Sequence, residues 1–424
     1  MTTELLALLG DRLVGHLRKD RHGKMSFTYA DEWRDAPNAY PLSLSMPLAL
    51  AEHRHGAVDP YLWGLLPDNE LILERWAQRF QVSARNAFAL LAHVGEDCAG
   101  SVRFVRPERR GVLATGSEDR VDWLHEREIA ARLRTLREDA SAWRQATDTG
   151  QFSLAGAQPK TAFFFDGKRW GIPSGTIPTT HILKPGAPGL DGHAENEHFC
   201  LLLARELGMA VASSRVERFE DEVAIVVERY DRFRTERGFV RVHQEDICQA
   251  LAIHPARKYE NEGGPGARDV VALLREYSGE PTEDIATFID ALAFNWLIAG
   301  TDAHAKNYSL LIGPRGGVRL APLYDLASAL PYANKQFQKL KLAMSIGGTY
   351  RLRDIGVHRW EKLANELSFD AITLRARVRG VAESLPRHAT ALLRRSREEG
   401  LSHPILASLA DALKQRAAQC LAHV

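Results

Sequence analysis

Two short apolar runs joined by a tight turn restrict the fold of this chain more than any other feature. Residues 308–312 and 318–323 favour β-strands, and the Pro-Arg-Gly-Gly sequence at 314–317 is a strong turn signal. The pattern predicts a β-hairpin that reverses at the glycines. Asn307 and Asp325 flank the two strands, so the reversal would place them side by side at the open end of the hairpin.

The residues around this hairpin are candidates for phosphoryl-transfer chemistry. The amide oxygen of Asn307 and the carboxylate of Asp325 are hard ligands that suit Mg²⁺. Asp302 lies five residues before Asn307, which is the D-x-x-x-x-N spacing of a kinase catalytic loop, where the aspartate orients and deprotonates the acceptor hydroxyl. Lys306 could neutralise charge on the transferred group. A polar loop with capping residues is the ordinary alternative, but the hairpin and the second acid favour catalysis.

A strand and a helix further upstream are candidates for holding a nucleotide. The strand at 179–184 ends in Lys184, which could reach the α- and β-phosphates. The helix that starts near Ala194 carries Glu195 and Glu197, and either could hold the lysine by an ion pair, with Glu197 preferred. A surface lysine and two carboxylates stabilised by the helix dipole are the alternative.

Two weaker patterns flank that strand. The small-residue loop at 153–160 could bring backbone N–H groups close to phosphates, although an ordinary turn before a strand has the same appearance. The apolar run at 223–231 turns polar at its end, as a strand leading into an interlobe hinge would. Backbone groups near Glu228 and Tyr230 could then meet adenine, and Asp231 could meet the ribose. From the pattern alone, a core strand with a charged end is favoured.

Length and composition set the broad class. A chain of 424 residues exceeds one hydrophobic core and predicts two or three domains. The net charge is +1, so contact with nucleic acid or a membrane would need a local patch. The four cysteines are far apart, which predicts free thiols. Neither a signal peptide nor a membrane-spanning run is apparent, so we expect a cytoplasmic protein without membrane contact.

One local concentration of arginine occurs near the C-terminus. It is usually a solvated helix face, but it could also meet DNA phosphates or an acidic partner. Its members are Arg375, Arg377, Arg379, Arg387, Arg394, Arg395 and Arg397.

Local patterns predict a mixed α/β segment over 1–110, a β-rich segment over 111–245 and a helix-rich segment over 246–424. A small β-rich lobe before a larger helical lobe is the layout of a two-lobed kinase. Predicted strands lie within 5–17 and at 25–29, 161–165, 179–184 and 222–229. Predicted helices cover 61–80 (interrupted at 67–69), 84–93, 123–140, 194–208 with Gly208 as the C-terminal cap, 284–300, 359–367 and 405–422, and a linker covers 106–122.

The loop at 301–307, Thr-Asp-Ala-His-Ala-Lys-Asn, resembles the T-D-x-H-x-K-N loop of HipA kinases. Further motifs in the same order are similar to that family over about residues 5–350. They are Pro41–Ser45, Leu65–Asn69, Ser153–Lys160, Pro178–His181, Val227–Arg232, Gln244–Asp246, Lys258–Glu260 and Gly263–Gly266. Pro159 departs from the pattern, because relatives often have Glu there, and little matches after about residue 345.

The resemblance implies a fold and a set of site residues. The fold is α+β and protein-kinase-like, related to the phosphoinositide 3- and 4-kinases, with an N-terminal α/β subdomain (1–110), a β-rich nucleotide-binding N-lobe (111–245) and an all-α C-lobe (246–424). Asp302 would be the catalytic base beside Lys306, Asn307 and Asp325 would bind Mg²⁺, and Ser153 would be autophosphorylated. The implied ATP-binding residues are Ala155, Gly156, Ala157, Gln158, Lys160, Lys184, Glu228, Tyr230, Asp231, His304 and Tyr324.

The resemblance also implies a biological setting. A serine/threonine kinase of this family is the toxin of a type II toxin–antitoxin pair. Its partner would be a HipB-type helix-turn-helix antitoxin, through which it would reach operator DNA indirectly. Its substrate would be glutamyl-tRNA synthetase or a related synthetase, and phosphorylation would stall translation and promote growth arrest and persistence. A kinase acting on a lipid or small molecule, and a non-catalytic corepressor, are the alternatives.

Overall fold

The computed structural model describes residues 3–139, 141–142, 152–186, 189–236 and 238–423. These residues form two compact units, each assembled from separate stretches of chain. The first unit comprises 1–185, 218–256 and 310–318, and the second comprises 186–217, 257–309 and 319–424. The domain boundaries that the sequence suggests near residues 110 and 245 stay a prediction.

Strands and helices are distributed along the whole chain. The strands are β1 (Glu4–Leu9), β2 (Arg12–Lys19), β3 (Met25–Tyr29), β4 (Glu52–Arg54), β5 (Val102–Val105), β6 (Arg120–Leu124), β7 (Thr161–Phe165), β8 (Trp170–Ser174), β9 (His181–Pro185), β10 (Ser214–Phe219), β11 (Glu222–Glu228), β12 (Arg232–Thr235), β13 (Gly238–Arg241), β14 (His243–Asp246), β15 (Ser309–Gly313), β16 (Gly317–Leu320), β17 (Lys341–Ile346) and β18 (Thr349–Arg351). The α-helices are α1 (Asp31–Arg34), α2 (His55–Gly64), α3 (Glu70–Phe80), α4 (Ala87–Val94), α5 (Arg109–Thr115), α6 (Glu126–Glu138), α7 (His193–Glu206), α8 (Ile247–Ala250), α9 (Ala267–Tyr277), α10 (Pro281–Ile298), α11 (Val357–Glu366), α12 (Ala371–Glu398) and α13 (Pro404–Leu421).

A five-stranded sheet of order β4-β3-β2-β1-β5 opens the first unit. One face of the sheet shares a hydrophobic core with α2, α3 and α4, where Phe27, Tyr61 and Phe88 are among the largest buried side chains. The predicted break in the helical pattern is confirmed, because α2 ends at Gly64 and α3 begins at Glu70. The side chain of Asn69 accepts a hydrogen bond from the Leu71 N–H and caps α3.

A six-stranded sheet of order β10-β11-β9-β7-β8-β6 carries the strand of Lys184. Helix α6 covers one face through Ile129 and Leu133, which pack with buried residues of the central strands. β9 and β11 pair antiparallel, and Lys184 is the register partner of Ile225.

The predicted helix over 123–140 and the predicted linker over 106–122 are both partly wrong. Trp123 lies in β6 and pairs with Gly171, while α5 lies within the expected linker. Helix α6 begins only at Glu126, because the Glu128 carboxylate accepts the His125 N–H and fixes the start of the helix. Ala140 lies outside the described residues.

The predicted reversal around residues 314–317 is confirmed. β15 and β16 join β14 in a three-stranded sheet of order β14-β15-β16. Arg315 (φ 58°) and Gly316 (φ 71°) both take left-handed backbone conformations at the turn. The Ala321 N–H donates to the Ser309 carbonyl at 2.8 Å, so the hairpin is centred at residue 315.

The second unit is mostly helical. The predicted C-cap at the end of α7 is confirmed, since Gly208 has a φ of 87°. The expected all-α segment 246–424 nevertheless contains β15–β16 and the hairpin β17–β18. Gly347 and Gly348, at φ 54° and 77°, make the second hairpin turn.

All four cysteines lie in the described part of the chain, and they are buried free thiols, as predicted. Among the residues that the structure describes, none of the helices combines the length and apolar character needed to cross a membrane.

Candidate active site

The end of α10 sets the position of the predicted catalytic loop. Ala299 caps the helix in a left-handed conformation (φ 53°), and the Gly300 N–H donates to the Asn295 carbonyl at 2.8 Å. A Cβ atom on Gly300 would lie 2.2 Å from Asn295 Oδ1, so a larger residue would force the buried Asn295 side chain to move. The loop at 301–307 therefore leaves a deeply buried helix at a fixed point.

Hydrogen bonds inside the loop bring Asp302 and Asn307 together. The Asp302 carbonyl accepts from the Asn307 side-chain amide and from the His304 N–H, both at 2.8 Å. His304 and Lys306 are buried, whereas the Asp302 side chain faces solvent. The loop thus presents one carboxylate to solvent and keeps the side chains of His304 and Lys306 inside the protein.

Tyr259 contacts the loop from outside, which the predicted site did not include. Its hydroxyl donates to Asp302 Oδ1 at 2.7 Å, and its ring meets His304 edge-on at 5.0 Å between centroids. The Ala305 N–H donates to the Lys258 carbonyl at 3.3 Å. The only sequence signal for this contact was the Lys-Tyr-Glu motif at 258–260.

The second strand of the hairpin returns the chain to the same loop. The Tyr324 hydroxyl donates to the Lys306 carbonyl at 2.7 Å and lies 2.7 Å from Ser309 Oγ. Asp325 follows directly and has a φ of 58°, a left-handed conformation that aspartate tolerates better than most residues. Tyr324 therefore places the backbone of Asp325 beside the end of the 301–307 loop.

The segment after Asp325 is fastened to the same helix end. Ser328 Oγ donates to the Ile298 carbonyl at 2.6 Å, and the Ala329 N–H donates to the Ala299 carbonyl at 3.1 Å. The Asn196 side chain of α7 both donates to and accepts from the Ser328 backbone, at 2.8 and 3.0 Å. The C-terminus of α10 thus anchors the Asp302 loop on one side and the Asp325 segment on the other.

Asn307 and Asp325 offer an amide oxygen and a carboxylate, the donor types that would hold a magnesium ion together with water and phosphate oxygens. The described residues contain no group of three or more His, Cys, Asp or Glu that could hold a metal. Asn307 uses its amide nitrogen on Asp302, which leaves its Oδ1 to act as a ligand. One amide and one carboxylate are the kind of sparse oxygen set that Mg²⁺ takes in nucleotide enzymes.

In the first unit, the predicted phosphate loop has a defined conformation. Ser153 is fully buried, its hydroxyl donates to the Leu65 carbonyl at 2.7 Å, and its N–H donates to the Asp97 carbonyl at 2.9 Å. Gly156, at φ 98°, accepts the Asp68 N–H at 3.1 Å. The loop is therefore held by the Leu65–Asn69 motif.

Other predicted residues of this loop differ in exposure. Ala157 is exposed, whereas Ala155, Gly156 and Gln158 are half-buried. Lys160 is buried, and its Nζ donates to the Ala155 carbonyl at 2.7 Å. A Cβ on Gly156 would lie 2.6 Å from that Nζ, so the glycine allows the lysine to close the loop.

The predicted nucleotide residues of β9 and β11 lie in the same unit as this loop. Lys184 is buried near the end of β9, while Glu228 is exposed at the end of β11, opposite His181. The Tyr230 hydroxyl donates to Gln244 Oε1. Glu195 and Glu197 lie on α7 in the second unit, so their ion pair with Lys184 stays a prediction.

Asp231 occupies a buried ionic cluster instead of an open position. Its carboxylate accepts from Arg229, from the Gly100 N–H and from Gln244, and it pairs with Arg232. Burial alone would raise the pKa of Asp231, but Arg229 and Arg232 outweigh it and lower that pKa to about 2. Both carboxylate oxygens of Asp231 already accept hydrogen bonds within the protein, which supports a structural role. The predicted contact between Asp231 and ribose stays a prediction.

Family models match two parts of the chain. The HipA N-terminal domain matches residues 5–105, and the HipA-like C-terminal domain matches residues 152–389, more than half of the sequence. The chain belongs to the HipA family. The HipA-like C-terminal domain model matches this HipA-family chain as far as residue 389. The sequence motifs alone gave little to compare after about residue 345.

Individual relatives agree with the family models. A putative kinase of Sinorhizobium fredii, Y4mE, is 34% identical over 98% of both chains. The serine/threonine-protein kinase toxin HipA of Shewanella oneidensis is 30% identical over 89% of this chain and 86% of its own. A solved complex of Shewanella oneidensis HipA, HipB and operator DNA contains a chain that matches 99% of this one, with a TM-score of 0.85 and 26% identity.

These findings confirm the predicted family and the two-lobed kinase-like fold of this HipA relative. They also place it in a family whose named members are kinases. The individual roles assigned to Asp302, Lys306, Asn307, Asp325 and the nucleotide-binding residues stay predictions.

Proposed function

We propose that this HipA-family chain is a serine/threonine protein kinase toxin that transfers the γ-phosphoryl group of ATP to a protein hydroxyl. The observation that carries the proposal is the anchoring of the Asp302–Asn307 loop and the Asp325 segment at one helix end. A D-x-x-x-x-N loop and a second aspartate, held by shared backbone contacts, provide the base and the metal ligands of a kinase.

Each residue has a distinct task in the proposed reaction. Asp302 accepts the proton of the acceptor hydroxyl as its oxygen bonds to the γ-phosphorus and the bond to the β,γ-bridging oxygen breaks, which releases ADP. Asn307 and Asp325 would hold Mg²⁺. Lys306, together with Lys184 and the loop at 155–160, offsets phosphate charge. Bound Mg·ATP supplies the phosphoryl group and the counter-charge for its transfer.

Ser153 is the proposed site of inactivating autophosphorylation. Its hydroxyl is buried against the Leu65 carbonyl, so it must leave that contact to react. A phosphate there adds roughly two negative charges to the phosphate-binding loop, which opposes return of the loop and binding of ATP.

A structurally similar complex supports the proposed antitoxin partner. The structurally similar Shewanella oneidensis protein forms a complex with HipB and operator DNA. We propose a HipB-type antitoxin for this chain, with DNA reached through it, and glutamyl-tRNA synthetase or a related synthetase as the substrate in the cytoplasm. Arrest of translation and persistence would follow.

Labelled ATP tests the reaction and its substrate class together. The purified chain, with Mg²⁺ and [γ-³²P]ATP, is incubated with a panel of aminoacyl-tRNA synthetases and, separately, with inositol lipids and small alcohols. We expect one synthetase to be labelled by the wild type and by Asp411→Asn, which alters an exposed carboxylate on α13. Asp302→Asn should label nothing. Labelling of a small alcohol alone would contradict a protein kinase.

Expression without an antitoxin separates catalysis from a role as corepressor. Growth should stop with the wild type and continue with Asp302→Asn. Equal arrest by both would mean that toxicity needs only binding.

A further inference from the structure

Asp97 lies where three segments of the first unit meet, although no motif for nucleotide binding includes it. Its backbone is bridged to Phe152 in parallel fashion, and its carbonyl accepts the Ser153 N–H at 2.9 Å. The start of the phosphate loop is therefore fixed by the backbone of this residue.

The side chain of Asp97 reaches the strand that carries Lys184. Its Oδ2 accepts the Thr179 hydroxyl at 2.6 Å and the Thr179 N–H at 3.0 Å. Thr179 lies two residues before β9 and five residues before Lys184. One carboxylate oxygen thus fixes the origin of that strand.

The other oxygen holds the chain that follows Glu228 and Tyr230. Asp97 Oδ1 accepts from Arg232 at 2.9 Å and from Arg241 at 3.2 Å. Arg229 Nη1 lies 3.6 Å from Oδ2 and also donates to the Thr179 hydroxyl at 2.9 Å. The predicted hinge is therefore tied to the same group as the predicted lysine strand.

The buried charges around Asp97 make the positions of these segments sensitive to the loss of one acid. The guanidinium groups of Arg229, Arg232 and Arg241 and the carboxylates of Asp97 and Asp231 are all at least nine-tenths buried. Removing one carboxylate charge leaves three buried cations facing a single anion, and an uncompensated buried charge is strongly destabilising. The cationic residues would then draw apart or admit water, and the segments that they carry would move.

We propose that Asp97 is a positioning residue that aligns the phosphate loop, the Lys184 strand and the Glu228–Tyr230 hinge for ATP. The inference rests on the proposed kinase function. It makes the N-terminal HipA domain, which contributes Asp97, part of the nucleotide-binding machinery in this chain.

The test compares Asp97→Asn with Leu133→Ala, a core substitution in the same unit that lowers stability without touching these contacts. For Asp97→Asn, we expect the KM for ATP to rise about tenfold with kcat changed less than about threefold, because ATP binding is affected and proton transfer is not. Backbone hydrogen exchange in residues 152–158 should become faster than in Leu133→Ala. Unchanged KM and exchange in a folded Asp97→Asn protein would overturn the proposal.

A second pair of variants applies if Asp97→Asn does not fold. Thr179→Val removes the hydroxyl that joins Asp97 to β9, and Thr179→Ser keeps it. We expect a raised KM for the valine variant and recovery for serine, whereas wild-type values for both would overturn the inference. Calorimetric binding of ATP and the exchange measurement need no turnover. If the wild type transfers no phosphate, the proposed function fails, and these two readouts still decide whether Asp97 positions the segments.

Discussion

Asp302 is exposed, yet one of its oxygens has a fixed donor. Tyr259 donates to Oδ1 at 2.7 Å, and its ring is itself packed against buried His304. An exposed carboxylate otherwise samples several rotamers, so a rigid donor reduces the entropy that must be lost before reaction. In the proposed reaction, Oδ2 would then be the oxygen that accepts the proton of the acceptor hydroxyl.

Tyr259→Phe should therefore slow catalysis and spare nucleotide binding. We expect kcat to fall about tenfold, because Asp302, the proposed base, loses its fixed orientation, while the KM for ATP stays near the wild-type value. Steady-state kinetics with saturating protein substrate measure both. Tyr40→Phe, which removes a half-buried hydroxyl in the first unit, is the matched control and should retain wild-type kcat. Equal kcat in all three proteins would show that Tyr259 does not orient Asp302.

The spacing of Asp302 and Asn307 is visible in the sequence because both residues lie in one short loop, where the Asn307 side chain donates to the Asp302 carbonyl. The catalytic and metal-binding roles inferred from that spacing stay predictions. Tyr259 is 43 residues from Asp302, and no periodicity links such positions. Asp97 likewise joins elements up to 144 residues away, so its importance appears only once the chain has folded.

A single acid on α10 fastens the hairpin strand that leads to Asp325. Asp284 is buried, accepts from Arg319 Nε at 3.1 Å and from the Leu320 N–H at 2.9 Å, and also accepts the Ser278 hydroxyl at 2.7 Å. One end of α10 thus holds the end of β16, and its other end holds the predicted catalytic loop at 301–307. The helix fixes the spacing between these two parts of the site.

Asp284→Ala should destabilise the protein far more than the same change at its neighbour. We expect a loss of about 2–4 kcal/mol in the free energy of unfolding, since a buried acceptor of several hydrogen bonds is removed. Glu283→Ala deletes an exposed partner of the same Arg319 and should cost less than about 1 kcal/mol. Urea denaturation of both variants measures the difference. Similar losses would mean that Asp284 contributes no more than a surface ion pair.

Helix α12, the longest helix among the described residues, was not one of the predicted helices. Its buried stripe runs through Leu374, Val378, Val381, Leu385 and Leu392 at helical spacing, but Pro386 within it disfavours a helix in any local pattern. The arginines predicted as a basic concentration lie here, and several form ion pairs within the second unit. These pairs are Arg377 with Asp290, Arg379 with Glu383, Arg394 with Glu398 and Arg395 with Glu206. Such pairing favours a solvated, structural face for them over a free anion-binding patch.

Over the whole molecule, the family and the fold class were readable from the order of the motifs, whereas the assembly of the units was not. Residues 310–318 belong to the first unit, although the loop at 301–307 just before them belongs to the second. Chain segments that are far apart in sequence pair only through tertiary contacts, and local propensity contains no information about them.

Global stability should depend on pH through one buried acid of the first unit. Glu245 is 1% exposed, and its Oε1 accepts the Leu44 N–H at 2.8 Å. Burial, reinforced by the nearby Asp246 charge, raises the pKa of Glu245 to about 8. In the unfolded chain the same group ionises near pH 4.5, so above that pH folding must take up a proton. Stability therefore falls as pH rises toward the folded pKa and levels off above it.

Glu245→Gln should abolish this part of the pH dependence. Burial lowers the pKa of His243 and of His198 to about 4, so the cost of keeping them neutral appears mainly below pH 6.5 and not between pH 7 and 8. In that interval we expect the wild type to lose about 1 kcal/mol more than Glu245→Gln, whose neutral amide can still accept the Leu44 N–H. Urea denaturation at pH 7 and pH 8 measures the loss. Glu52→Gln, at an exposed position on β4, should behave as the wild type, and an unchanged slope in Glu245→Gln would show that Glu245 is already ionised in the folded protein.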